Sequence, residues 1–229
     1  MALATWVGDK TIDVTIINGR EGRAIKRQRN KVNGQLQPKI DSCKNGSRKH
    51  RRLVMARKKI NGKTQLALSD FDHQVSRKAA NHVINQNTGR LIVGDVRGIE
   101  RHAKAKRRMG RHGRRSNKLS EWSRGRQERY LYEKTGLQLD FLNESGSTKT
   151  CPASPTRNRP SGRHYRCKDP DCGFTCHRDV IGSINILQQA IYGEYTRSIQ
   201  TTLRRSYTPV HLTPSCDGRP HGRHAVHTM

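Results

Sequence analysis

The stretch LDFLNESGSTKTCPASPTRNRPSGRHYRCKDPDCGFTCHRDVIGSINI, residues 139–186, contains three features in a fixed order. An alternating strand pattern ends at Glu144, two cysteine-bearing turns follow, and Asp179 then opens a helix with one apolar stripe. The stripe consists of Ile181, Ile184, Leu187 and Ile191. This order predicts a strand and a helix separated by a small cysteine-bearing insert at residues 147–176.

Strand and helix patterns also alternate upstream of this stretch. Residues 2–17 predict a β-hairpin, because Gly8-Asp9-Lys10 supplies a turn between two apolar strands. A helix is predicted from Leu68 to Val83, a buried strand at 91–93, and a second helix at 120–134 with Ser120 as N-cap and Gly136 after its end. The alternation indicates an α/β fold with a mixed sheet and flanking helices.

The remaining segments carry too few apolar residues to define a core face. A short strand at 22–26 is expected to lead into a basic arm at 26–63, in which residues 53–60 have some helical character. A second basic arm is expected at 100–118, and a disordered tail at 204–229. The first arm is expected to order on nucleic acid, the second to be a loop or a disordered arm, and both are expected to bind nucleic acid.

The charge of the chain indicates a polyanionic partner. Its 229 residues include 46 Lys plus Arg against 18 Asp plus Glu, a formal net charge of +28. Such an excess repels itself in a compact protein unless phosphates neutralise it, and each neutralised phosphate also releases counterions. The alternative is a merely well-solvated basic surface.

Cellular location follows from the cysteines and the apolar runs. The sequence has neither a signal peptide nor an apolar run long enough to cross a membrane, so we expect no membrane partner and a cytoplasmic protein associated with nucleic acid. In a reducing compartment the six cysteines indicate metal binding rather than disulfides.

Three acids at the ends of predicted core elements suggest metal-dependent hydrolysis of phosphodiesters. Asp95 and Glu144 follow strands, and Asp179 begins a helix. Several carboxylates gathered at one place hold two divalent ions about 3.5–4 Å apart in such enzymes. Mg²⁺ suits this role, because it prefers oxygen ligands. The alternative is that each acid is a helix or turn cap, or simply a surface acid.

The cysteines of the insert suggest a degenerate zinc ribbon. Cys151 and Ser154 form a first turn that has lost one thiol, and Cys167 and Cys172 form a second turn with four intervening residues. Structural zinc requires four tetrahedral ligands, and a serine hydroxyl is a poor one. Cys176 or His164 could provide the fourth ligand, although neither has the usual spacing. Cys43 and Cys216 are expected to be uninvolved.

These residues together resemble the TnpB/OrfB family of transposon-encoded, RNA-guided DNA nucleases. The matching pieces, all within residues 144–186, are STKTCP (147–152), YRC (165–167), CGF (172–174), HRD (177–179) and INI (184–186). The upstream LIVGD (91–95) resembles the second motif of the family's RuvC-like, RNase H-like domain. The resemblance covers about residues 2–195.

The resemblance implies roles for the acids and a division of the chain. Asp179 is the third-motif Mg²⁺ ligand, and Glu144 takes the position of a displaced catalytic glutamate in a subset of the family, ahead of Asp95. The RuvC-like domain then comprises residues 1–146 and 177–203, and the zinc-ribbon-like insert for target binding comprises 147–176. Guide RNA and target DNA are the implied partners.

In the family, an Ile-Asp-Leu-Gly-like strand with the first catalytic Asp precedes the segment that corresponds to residues 2–5, which here follow Met1 directly. We therefore expect an incomplete nuclease that does not cut alone, arising as a truncated copy, a separate C-terminal product or half of a split protein. The alternatives are a nuclease-dead repressor or partner of a full-length copy and, far behind, a general RNA-binding protein.

Overall fold

The structure is a computed structural model that describes residues 1–7, 11–96, 123–160, 162–195 and 202–208. Within these ranges it has seven strands and four helices. In chain order they are β1 (Ala2–Val7), β2 (Thr11–Ile17), α1 (Arg20–Asp41), α2 (Arg48–Asn85), β3 (Leu91–Asp95), α3 (Arg124–Thr135), β4 (Leu139–Asn143), β5 (His164–Arg166), β6 (Thr175–His177), α4 (Arg178–Tyr192) and β7 (Thr202–Thr208).

The described strands form three small sheets. β1 pairs antiparallel with β2, and β2 pairs parallel with β7. β3 and β4 form a parallel pair, and β5 and β6 an antiparallel pair. The prediction of a mixed α/β protein is therefore confirmed, whereas the described strands do not join into one mixed sheet. The proposed division into domains stays a prediction.

Elements with strong local signals lie where the sequence predicts them. The hairpin, β3, β4 and the helix that begins with Asp179 in its first turn are all present. Gly136 ends α3 in the left-handed region at φ 69°, the conformation that favours glycine. Helix α3 begins at Arg124 with Ser123 as its N-cap residue, and the predicted N-cap Ser120 lies outside the described residues.

The short strand predicted at residues 22–26 is wrong, and the basic segment 26–63 is largely helical, as was expected only for residues 53–60. Both segments belong to helices α1 and α2, which pack against each other. Gly22 allows the close contact, because a Cβ atom there would lie 2.6 Å from the Phe71 ring. Lys, Arg and Gln have good helix propensity, so a segment with few apolar residues still forms a helix once a partner covers it.

Two other boundaries differ from the predictions. The helix expected to begin at Leu68 begins twenty residues earlier, where the Ser47 side chain accepts a hydrogen bond from the His50 amide at 3.2 Å. The disordered tail expected at residues 204–229 is wrong for residues 204–208, which belong to β7 beside β2. The second basic arm, 100–118, lies outside the described residues.

Two apolar clusters form the core. One joins Ile12 and Val14 of β2 to Val180, Ile181 and Ile184 of α4. The other joins α2 to the strands and to α3, and its members include Ile17, Phe71, Val75, Ala79 and Leu131. Ile181, Ile184 and Leu187 of the predicted α4 stripe thus pack in the cluster with the hairpin, whereas Ile191 is exposed. No helix in the described ranges is both long and apolar enough to cross a bilayer.

A buried carboxylate joins α2 to α3. The Asp72 side chain is 1% exposed and accepts hydrogen bonds from Ser123 Oγ at 2.7 Å and Gln127 Nε2 at 2.8 Å. Its other oxygen faces Arg126 Nη1 at 3.5 Å. All three partners belong to α3 or its N-cap, so this one acid holds the first turns of α3 in place.

We predict that Asp72→Ala lowers the free energy of unfolding by about 3–5 kcal/mol, because it leaves Arg126 and two polar donors without their acceptor. Asp70→Ala is the matched control: Asp70 is exposed on the same helix, and its replacement should change stability by less than about 0.5 kcal/mol. Urea unfolding followed by circular dichroism measures both. Equal effects of the two substitutions would contradict a role for Asp72 in joining the helices.

Candidate functional site

Two acids converge at the carboxyl ends of β3 and β4. The parallel register places Gly94 opposite Leu142 and Asp95 opposite Asn143, and Glu144 follows directly. The Glu144 carboxylate lies across Gly94: a Cβ atom at position 94 would collide with Glu144 Oε2 and lie 2.9 Å from Ile186 Cδ1. Glycine at 94 therefore leaves the space that the Glu144 side chain fills. The Glu144 side chain therefore lies over β3, although its backbone directly follows β4.

The electrostatics of Glu144 reflect a half-buried acid beside another acid. Burial raises the pKa of Glu144, Arg124 at the start of α3 lowers it in part, and the charge of Asp95 raises it again. A carboxylate is harder to ionise beside another carboxylate, and a cation between the two removes this penalty. Such a pair of oxygen donors is what Mg²⁺ prefers in proteins.

Tyr195 and Arg124 belong to this region, and the sequence analysis did not identify them. The Tyr195 hydroxyl donates to the backbone oxygens of Asn143 at 3.1 Å and Ser145 at 3.2 Å, one on each side of Glu144. Burial raises the pKa of Tyr195, Arg157 lowers it, and Glu144 raises it. Neither residue has a sequence signal, because each reaches Glu144 only through the tertiary fold.

Asp179 occupies the first turn of α4. Its backbone amide donates to His177 Nδ1 at 3.2 Å, and its carboxylate, 64% exposed, lies 3.8 Å from the same nitrogen. Among the described residues, the only three metal-ligand atoms within 4.8 Å of one another belong to cysteines. The structure therefore brings Glu144 and Asp95 together, but it does not bring Asp179 into a three-carboxylate group with them.

The cysteine group contains Cys151, Cys167 and Cys172. Two tight turns position them: the Cys151 amide donates to Thr156 O at 3.0 Å, and the Cys167 amide donates to Phe174 O at 2.9 Å. Cys151 Sγ lies 3.7 Å from Cys172 Sγ. Three thiols from two turns on one small unit match the donor type of structural zinc sites.

Ser154 completes the group with a hydroxyl. Its Oγ lies 3.3 Å from Cys167 Sγ, and its side chain also bonds Cys151. Burial raises the pKa of Cys151 to about 11. Burial alone would raise the pKa of Cys167 as well, but hydrogen bonds from Ser154, the Asp169 backbone and the other two thiols lower it. The donor set therefore fits zinc at three of its four positions.

Two alternative fourth ligands lie outside this group. Cys176 is a buried residue of β6, where it pairs with Tyr165 of β5 and joins the apolar core. His164 is an exposed residue of β5, paired with His177. Cys176 therefore lies outside the three-thiol group of the structure, and its predicted role as a zinc ligand stays a prediction.

Hydrogen bonds from a buried side-chain amide of α4 hold the insert against this helix. Asn185, fully buried, donates through Nδ2 to Ser147 O at 2.5 Å and to Thr150 O at 2.8 Å. Gln188 Nε2 donates to Pro152 O at 3.3 Å. Asn185 belongs to the INI motif at residues 184–186, and these contacts give a physical reason for an amide at this position.

Comparisons with known proteins are consistent with these observations. Residues 126–186 match the family model described as Cas12f1-like, TNB domain. The chain is 22% identical over 211 residues to the TnpB-like protein MJ0751 of Methanocaldococcus jannaschii, an alignment that covers 87% of this chain and 73% of that protein.

Solved structures with some similarity have low TM-scores. One is the cryo-EM structure of the Cas12f1-sgRNA-target DNA complex, with TM-score 0.44, 14% identity and 66% coverage of this chain. Another is the mini-RNA-guided endonuclease CRISPR-Cas_phi3, with TM-score 0.42, 20% identity and 70% coverage. This chain spans 40% and 24% of the lengths of those two chains.

Proposed function

We propose that this chain, a member of the TnpB-like family, is the nucleic-acid-binding, RuvC-like part of a transposon-encoded, RNA-guided DNA endonuclease. Guide RNA and target DNA are its proposed partners. Glu144 and Asp95 are its proposed metal-binding acids, with Glu144 the more important of the two, and Asp179 is a third acid from α4.

The observation that carries this proposal is the Glu144 carboxylate lying over Gly94. A structural acid at a strand end would turn toward solvent or toward a cap. Glu144 instead lies half-buried against the neighbouring strand and close to Asp95, and both burial and Asp95 raise its pKa. Glu144 has a cation, Arg124, beside it, and it also has a second carboxylate, Asp95, close enough to raise its pKa.

The oxygen donors fit Mg²⁺, which would be held by Glu144 and Asp95 and would polarise a phosphodiester and a water molecule. The residues of this chain keep the donors in position. Tyr195 fixes the backbone on both sides of Glu144, and Arg124 favours its ionised form. The three thiols and Ser154 form the proposed zinc-ribbon-like insert, which the Asn185 amide attaches to α4.

A role in binding without cleavage, as a repressor or partner of a full-length copy, is the second candidate. It is favoured by the observation that, in the described part of the chain, no three carboxylate oxygens lie within 4.8 Å of one another. Such a protein would bind the same nucleic acids but would have no use for a divalent ion at Glu144.

Mn²⁺ binding separates the two candidates, because Mn²⁺ takes the same oxygen ligands as Mg²⁺ and is visible by electron paramagnetic resonance. We predict that Glu144→Gln weakens Mn²⁺ binding by at least about tenfold. Asp140→Asn is the matched control, since Asp140 is an acid of β4 itself that pairs with Arg90 at 2.6 Å, and it should change little.

If Glu144→Gln and Asp140→Asn behave alike, the Glu144 site is not a metal site and the binding-only candidate stands. If Asp95→Asn abolishes binding while Glu144→Gln does nothing, the order of the two acids is wrong.

A further inference from the structure

Helix α1 presents a stripe of cations that the proposed metal site does not use. Arg20, Arg23, Arg27 and Lys31 are all exposed and, together with Ala24 and Gln28, they line a shallow groove along the helix. At 3.6 residues per turn these four cations fall within about 80° of the helix circumference, and they extend over about 16 Å. Glu21 is the only acid between Arg20 and Lys39.

The stripe lies on a different face of α1 from the one that packs against α2. Gly22 contacts Phe71 of α2, Ile40 is buried, and Asn33 Nδ2 donates to Asn61 Oδ1 at 2.8 Å. These three residues of α1 fall about 120–140° around the helix from the centre of the stripe. Packing against α2 therefore fixes α1 in the orientation that presents the cations outward.

We propose that this stripe binds the phosphate backbone of base-paired RNA, an inference that rests on the proposed function. Four aligned cations about one helical turn apart suit a ligand with regularly spaced negative charges. Unpaired strands are usually held by aromatic side chains on which bases stack, and α1 contains no Phe, Tyr or Trp. Its groove is therefore suited to a backbone rather than to exposed bases.

The chemistry of the groove also favours RNA over DNA as the duplex. Paired RNA is recognised mainly through its phosphates and 2′-hydroxyls, because its deep major groove hides the base edges. The long cations reach phosphates, and the Gln28 amide, exposed in the same groove, both donates and accepts hydrogen bonds as a 2′-hydroxyl requires.

The test replaces Arg20, Arg23, Arg27 and Lys31 with Gln in the full chain and compares a hairpin RNA, an unpaired RNA of equal length and a DNA duplex. We expect the hairpin RNA to bind at least about tenfold more weakly. The slope of its affinity against salt should fall by about 0.9 for each phosphate that the variant no longer neutralises. The unpaired RNA and the DNA duplex should each be weakened clearly less.

The matched control removes the same charge elsewhere. Arg48, Lys49, Lys58 and Lys59 are exposed cations of α2 that spread over about half the helix circumference, and their replacement with Gln should weaken hairpin RNA binding less. Equal weakening by the two variants, equal weakening on all three ligands, or the largest effect on the DNA duplex would each overturn the inference. If the unaltered chain binds no RNA, the proposed function fails; if it binds RNA and the stripe variant binds equally well, only the stripe inference fails.

Discussion

At 50 mM salt the chain is expected to bind RNA and single-stranded DNA tightly, and at 200 mM its affinity is expected to be about a thousandfold lower. The reason is the net charge of +28, which must be neutralised by phosphates when the protein binds. Every phosphate contact releases condensed counterions, and added salt opposes that release. Fluorescence anisotropy with labelled oligonucleotides over this salt range measures the slope.

Sequence independence is the second part of this expectation. Backbone contacts carry no base information, so oligonucleotides of different sequence and equal length should bind within a few-fold of one another at each salt concentration. The control is a comparison of chloride and glutamate salts at equal cation concentration, which separates cation release from anion displacement. An affinity that falls by less than tenfold between the two salt concentrations would contradict electrostatic binding.

Elements formed by interactions between residues close in sequence could be predicted, and elements that depend on contacts distant in sequence could not. The hairpin, β3 and β4 carry their signals locally, in turn residues and in the alternation of apolar side chains. Helix α1 lacks such a signal, because it packs through residues such as Gly22 against Phe71, about fifty residues away in sequence. From sequence alone, a glycine in a basic segment indicates a loop. Its role in helix packing becomes visible only when the helix that packs against it is known.

The candidate site shows the same division. Its acids were predictable individually, from their positions at strand and helix ends. That Glu144 fills the space over Gly94 depends on the parallel pairing of β3 with β4, which no local pattern contains. Tyr195 and Arg124 are further examples: each approaches Glu144 across a tertiary contact, and neither residue type is unusual in this chain.

For the cysteine group, the largest expected effect of one substitution is that of Ser154→Cys on zinc content. In the unaltered chain the group offers three thiols and a hydroxyl, so protein purified without chelator should contain well below about one zinc per chain. Ser154 Oγ already lies 3.3 Å from Cys167 Sγ and also hydrogen-bonds Cys151, so a thiol at this position would lie beside two of the three cysteines. Ser154→Cys should raise the zinc content toward about one per chain, measured by mass spectrometry of the metal, and should raise the melting temperature in proportion.

Two controls decide whether the added thiol acts through this group. Ser69→Cys adds a thiol on α2, away from the group, and should leave the zinc content unchanged. Cys151→Ser combined with Ser154→Cys restores the count of three thiols and should remove the gain, because a closed tetrahedral site requires all four ligands. If the unaltered chain already holds stoichiometric zinc, the fourth ligand is a group other than the Ser154 hydroxyl. Cys176→Ser and His164→Ala then test the two remaining candidates. Neither side chain lies in the three-thiol group, so the ligand would have to move toward the metal. The substitution that releases the zinc identifies that ligand.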